Sequence, residues 1–187
     1  MPNAYGLRPV RHMAGGVIRA TEMTIASGYG TSIFFGDPVK LVAAGTIEQA
    51  AAGNVIFGVF QGCSYKLSTG EIVWSRYWPA STTATEIKAM VLADPNIAYS
   101  ITDDGDSDFL TAADIGTAAD IIVGTGSTVT GISAVALDTS SASGSTAQLK
   151  IIEKLDRQGN DYGAANGARV EMVVMINEHF LKQEAGI

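Results

Sequence analysis

Asp103, Asp104, Asp106 and Asp108 are the side chains of this sequence most closely spaced for chemistry. A calcium ion takes several carboxylate and carbonyl oxygens from a turn-forming loop, and Gly105 and Ser107 would let the chain curl around one. The glycine falls too early for an EF-hand, however, and the twelfth position counted from Asp103 is Asp114 instead of a bidentate glutamate. The run therefore reads as a solvated loop, and no metal is assigned to it. His12 and His179, the two histidines, lie near opposite ends of the chain. Neither has a second ligand at i, i+4 spacing, and no Gly-x-Ser-x-Gly elbow accompanies them. Gly124-Thr125-Gly126 lacks the third glycine, the preceding βαβ frame and the later acidic partner of a dinucleotide loop, and no Gly-Lys-Ser/Thr of a phosphate loop occurs. Cys63 is the single cysteine, so it forms neither an intrachain disulfide nor a cysteine-based metal site. Set between Gly62 and Ser64, it reads as a buried small hydrophobe. No catalytic residue, cofactor or metal is expected, and the chain reads as non-enzymatic.

The elements that carry these residues follow from composition and patterning. With 187 residues the chain can bury one substantial core or two small ones. Hydrophobic residues make up 47% and charged residues 17%, which is too apolar for disorder and too lightly charged for a helix-rich, salt-bridge-laced protein. The formal charge of −7, with twelve scattered basic residues, argues against a nucleic-acid surface, which needs clustered Lys and Arg to release counterions. No window approaches eighteen consecutive apolar residues, and the first residues lack a basic region followed by an apolar one. No membrane partner is expected, and synthesis in the cytoplasm is.

The chain is punctuated by glycine and proline into short β-favouring runs. A strand is expected at Ile18 to Ile25, a short extended piece at Ser32 to Phe35, and a tight turn at Gly36-Asp37-Pro38 feeding Val39 to Val42. Ile47 to Ala52 reads as a strand edge running into a turn, followed by Val55 to Phe60. A polar connection then leads to a hairpin-like turn at Ser68 to Glu71 and to Ile72-Val73-Trp74. Lys88 to Leu92 suits a strand or a short helix, and Ile97 to Ile101 a strand. Gln148 to Leu155 alternates as a strand, and Ala168 to Asn177 is the best strand pattern of all. These runs predict a mainly β fold: a small antiparallel β-barrel or sandwich over residues 17–101, preceded by an extended N-terminal arm over 1–16. A second β-rich lobe over 102–187 is expected to carry a Gly/Ser/Thr-rich excursion at 124–145, and a wide turn is expected across Gly159 to Gly163 and Asn166-Gly167. The prolines, arginines and tyrosine of the arm suit an extended segment that lies on a neighbouring molecule or on its own barrel. Trp74, Tyr77 and Trp78, close together before Pro79, either fill a core or form a contact surface. With Tyr5, Arg8 and Arg11 they make up the candidate interface residues.

Gly36-Asp37-Pro38-Val39-Lys40-Leu41, Gly53 with Val55 to Phe60, and Thr69-Gly70-Glu71-Ile72-Val73 together resemble the barrel of tailed-bacteriophage head decoration, or cement, proteins. Ala89 to Pro95, Thr130 to Ser133, Leu149 to Ile152 and Val173 to His179 are similar to larger virion proteins of that kind. The resemblance implies a non-enzymatic capsid decoration protein on the outside of an icosahedral head. There it would bridge major capsid protein subunits and stabilise the shell, as a homotrimer or alternatively a dimer. Two alternatives share the β-rich pattern. One is another virion structural component, a tail-tube or head-completion protein. The other is a carbohydrate-binding β protein that uses Trp74, Tyr77 and Trp78 as a stacking platform beside the Asp103 to Asp108 carboxylates.

Overall fold

A computed structural model of the chain describes residues 3–142, 146–162 and 169–182. Ser143 to Ser145 of the expected excursion, the turn residues Gly163, Asn166 and Gly167, and Ala168 lie outside the described residues. Thirteen strands are assigned among those described. The first eight are β1 (Arg8–His12), β2 (Thr21–Met23), β3 (Pro38–Leu41), β4 (Ile47–Gln49), β5 (Gly58–Leu67), β6 (Ile72–Ser75), β7 (Ala84–Leu92) and β8 (Ile97–Thr102). The remaining five are β9 (Ala118–Ala119), β10 (Ile121–Ile122), β11 (Ala136–Leu137), β12 (Leu149–Lys154) and β13 (Glu171–Ile176). Helical structure among the described residues is confined to three single 3-10 turns, at 112–114, 139–141 and 180–182.

The fold is mainly β, and every strand-to-strand pairing is antiparallel. One sheet runs β1-β8-β13-β12-β9, and another runs β2-β7-β5-β3-β4 with β6 also paired to β5. Neither sheet closes into a barrel; each backs its own hydrophobic cluster, an open arrangement closer to a sandwich. The N-terminal segment is extended, and it lies on its own chain. Arg8 pairs with Ser100 and His12 with Ile97, which makes β1 the outer strand of the first sheet, with Leu7 fully buried behind it. The strands of this sheet come from both sides of position 101, since β1 and β8 share it with β9, β12 and β13.

Period-2 alternation explains how two clusters share one chain. Side chains of successive strand residues point to opposite faces. Val59 of β5 accordingly enters the cluster that holds Tyr99 and Met172, while Phe60 enters the one that holds Trp78 and Val39; just before the strand, Ile56 and Phe57 divide between the same two clusters. Leu92 and Val91 divide in the same way. Residues 56–60 and 91–93 thus form a seam between the two cores. Gly58 sits in it because a Cβ there would run into the Leu92 carbonyl and the Val91 side chain.

β5 reaches Leu67, through the stretch expected to be a polar connection. Its polar residues are tolerated because β6 and β7 pair with it from both sides, which leaves Ser64 buried within the sheet. The expected hairpin turn follows, closed by Leu67 and Glu71. Lys88 to Leu92 is strand, as the end of the nine-residue β7. A register shift in the β5–β7 pairing places Glu86 at φ 51, a left-handed conformation that marks a bulge, and its carboxylate meets Lys66 Nζ at 3.0 Å.

Candidate functional site

The acidic loop does not gather into a cage. Asp103 is 2% exposed, its backbone amide donates to the Val170 carbonyl at 2.9 Å, and its carboxylate Oδ1 is buried without a hydrogen-bond partner among the described residues. Burial pushes its pKa up to about 6. Asp104 and Asp106 instead converge on one hydroxyl, the Thr139 Oγ1, at 2.9 and 2.8 Å. Asp106 also accepts the amide of Asp108, which closes a local turn. Among the described residues no three His, Cys, Asp or Glu side chains are placed to hold a metal ion.

Each histidine serves its own terminus. His12 Nδ1 accepts the Gly16 amide at 3.0 Å, so Nε2 carries the proton and faces Asp94 Oδ2 at 3.0 Å. The amide of Asn96 and then His12 hold the Asp94 carboxyl below the usual carboxylate range. His179 is fully buried next to the bridge to Ile56; its Nδ1 accepts the Leu181 amide, and its Nε2 has no hydrogen-bond partner. Burial lowers its pKa to about 4, which keeps the ring neutral. Cys63 is buried and its thiol is pushed up to about 12, so it is a thiol and not a nucleophilic thiolate. Gly126 packs against the Phe34 ring, where a Cβ would collide.

The three clustered aromatics take three different positions. Trp78 is fully buried, edge-on to Tyr65 with ring centroids 5.1 Å apart, and fills the core. Tyr77 stacks on Phe34 at 5.4 Å. Trp74 stands outward from β6 and is 76% exposed, beside Ile72 at 61%. A flat platform of all three is therefore not assembled. β6 pairs only with β5 among the described strands, so Trp74 sits on the outermost strand at that side of the sheet. Two ion pairs border the same strands, Lys66–Glu86 and Lys88–Glu22.

The N-terminal candidates lie elsewhere. Tyr5 is buried and hydrogen-bonded to the Ser100 side chain, and burial raises its pKa. The Arg8 guanidinium lies over its ring at 4.0 Å. Both line a cavity of about 590 Å³ whose wall includes Arg157 and Glu171. Arg11 reaches across its sheet to Glu153 at 2.7 Å. Tyr5 and Arg8 are thus brought together, while Trp74 and Arg11 stand apart from them. Glu171, which no motif in the sequence marks, has a buried carboxylate that takes Arg157 Nη1 at 2.8 and 3.0 Å. An acid inside an otherwise apolar strand was the available signal, because a buried charge needs a partner. Asp37, which the sequence marks only as a turn residue, is a second polar centre. That buried carboxylate accepts the Phe34 amide at 2.8 Å and Gln49 Nε2 at 2.7 Å, and is hydrogen-bonded to Ser133.

No helix among the described residues is long and apolar enough to cross a membrane. Comparisons of the chain with protein-family models, with curated proteins and with solved structures found no match.

Proposed function

We propose that this chain is a capsid decoration protein, which binds the outer surface of a phage icosahedral head and stabilises it by bridging major capsid protein subunits. The observation that carries the proposal is Trp74, an indole 76% exposed on an outer strand next to an exposed Ile72. Tryptophan is enriched at the energetic centres of protein interfaces, where a ring of polar neighbours excludes water. The Lys–Glu pairs around β6 supply such a rim. The short segments that resemble cement proteins agree with adhesion as the task. A homotrimer on a symmetric lattice would turn individually weak contacts into tight attachment by avidity. The test is co-sedimentation of the purified protein with mature shells of its own virus, read together with the temperature at which the shells disrupt. Binding with a raised disruption temperature is expected. Protein that stays in the supernatant at every shell concentration would remove the proposal.

A second reading, a tail-tube or head-completion protein, draws on the outer strands β1 and β6, each with one paired neighbour among the described strands. Rings or tubes formed by the purified protein in negative stain would favour it.

A further inference from the structure

We infer that the cavity beside Arg8 is a carboxylate-binding site. It measures about 590 Å³, within the roughly 300–1,000 Å³ of clefts that hold ligands, and it is lined by Tyr5, Arg8, Ser127, Thr130, Arg157 and Glu171 among others. What distinguishes it is an excess of donors. The Arg8 guanidinium is held over the Tyr5 ring and makes no hydrogen bond or ion pair among the described residues. The Ser127 hydroxyl accepts the Thr130 amide at 3.3 Å, and the Thr130 hydroxyl accepts the Ile132 amide at 3.4 Å. Each therefore keeps its own proton for a further acceptor, with none present among the described residues. The one carboxylate in the wall, Glu171, is already engaged through both oxygens by Arg157.

A guanidinium with open N–H groups matches a planar carboxylate, which takes two parallel hydrogen bonds from it and has lone pairs left for hydroxyls. The buried Glu171 charge in the same wall favours a carboxylate group, which brings one charge to the contact, over a phosphate group, which concentrates about two charges there near pH 7. The surrounding sequence fits an anion as well. Residues 1–21 contain Arg8, Arg11 and Arg19 and no acidic residue, in a chain whose net charge is −7. The carboxylate can arrive as a free dicarboxylate or as a side chain of an acidic protein segment. This inference stands apart from the virion reading, since it concerns the isolated chain.

Titration calorimetry of the full chain tests it with three probes: succinate, a blocked pentapeptide with two glutamates, and inorganic phosphate. A control peptide replaces the glutamates with glutamine. Expected is saturable binding of succinate or of the glutamate peptide, at least tenfold tighter than phosphate or the glutamine peptide. That binding should weaken at least tenfold in Arg8→Gln and severalfold in Thr130→Val, with the melting temperatures of both variants unchanged. Whichever of the two carboxylate probes binds identifies the source. Absence of binding by both, a preference for phosphate, equal binding of the two peptides, or undiminished binding in folded Arg8→Gln and Thr130→Val would each overturn the inference.

Discussion

The amide of Leu7 donates to the carbonyl of Gly36 at 2.8 Å, which fastens the N-terminal segment to the Gly36-Asp37-Pro38 turn. Gly36 lies at φ 92, and a Cβ there would meet the carbonyl oxygens of Tyr5 at 2.9 Å and Leu7 at 3.3 Å. The contact thus requires glycine twice over, for its conformation and for its lack of a side chain. Gly36→Ala is expected to lower stability by about 2–3 kcal/mol, from the left-handed penalty plus displaced backbone. Urea denaturation measures this; a loss below about 0.5 kcal/mol, the range of ordinary surface changes, would show that the turn is not under this constraint.

Asp103 and His179 pull the acid response in opposite directions. His179 titrates near 4 in the fold against 6.5 as its ordinary value, so only the unfolded chain takes up that proton between about pH 6.5 and 4, and stability falls across that window as pH drops. Asp103 titrates near 6 against 3.8, so the folded chain takes up that proton first, and stability rises as pH drops from about 6 to 3.8. Each shift is worth about 3 kcal/mol, and the two nearly offset. Asp103→Asn should therefore lose stability from pH 6 to 4, where these two groups leave the wild type nearly level, and His179→Gln should gain it. Urea midpoints at pH 4.5 and 7 check both. Parallel pH profiles for wild type and both variants would contradict the assignment.

Gln148 is the polar tie between distant segments. Its fully buried amide accepts the Ile121 N–H at 3.2 Å and donates to the carbonyls of Ala51 and Asn54 at 2.9 and 2.7 Å. Gln148→Leu keeps the bulk and leaves the buried Ile121 N–H and the part-buried carbonyls of Ala51 and Asn54 without this partner. A loss of about 2–4 kcal/mol is expected, because each orphaned group costs about 1–3 kcal/mol less what water entry recovers. Amide exchange of Ile121 should accelerate in step. An unchanged denaturation midpoint would mean that water replaces the amide without cost.

Much of the strand order was legible because alternation and turn residues act over a few positions. Val39 to Leu41, the Ser68 to Glu71 hairpin, Ile97 to Ile101 and Leu149 to Lys154 all form where their patterns place them. The expected strand from Ile18 to Ile25 shortens to Thr21–Met23, since only that stretch finds a neighbour in β7. The far half of β5 was hidden for a related reason. Cys63, Ser64 and Lys66 look like a loop until strands on both sides satisfy them. The polar ties are less accessible still. Ser133 to Asp37 and Gln148 to Ala51 join residues almost a hundred positions apart, and no local period encodes such a pair. At the candidate surfaces, residue type pointed to Trp74 and Trp78 alike. Their separation into surface and core follows from β6 being an outer strand while Trp78 bridges to Ile33 inside.

Trp74 separates adhesion from folding. It is too exposed to hold the core, so Trp74→Ser should leave stability within about 0.5 kcal/mol of wild type. On the decoration reading the same change weakens attachment to shells at least tenfold, as expected for an interface centre. Attachment at full strength by the variant would exclude β6 as the adhesive strand.

Cryo-electron microscopy of mature shells incubated with the protein examines the proposal most directly. The expected result is ordered density on the outer surface that touches two or more capsid subunits, with β6 at the contact. Shells that remain bare at saturating protein, or density confined to a tail or portal position, would contradict it.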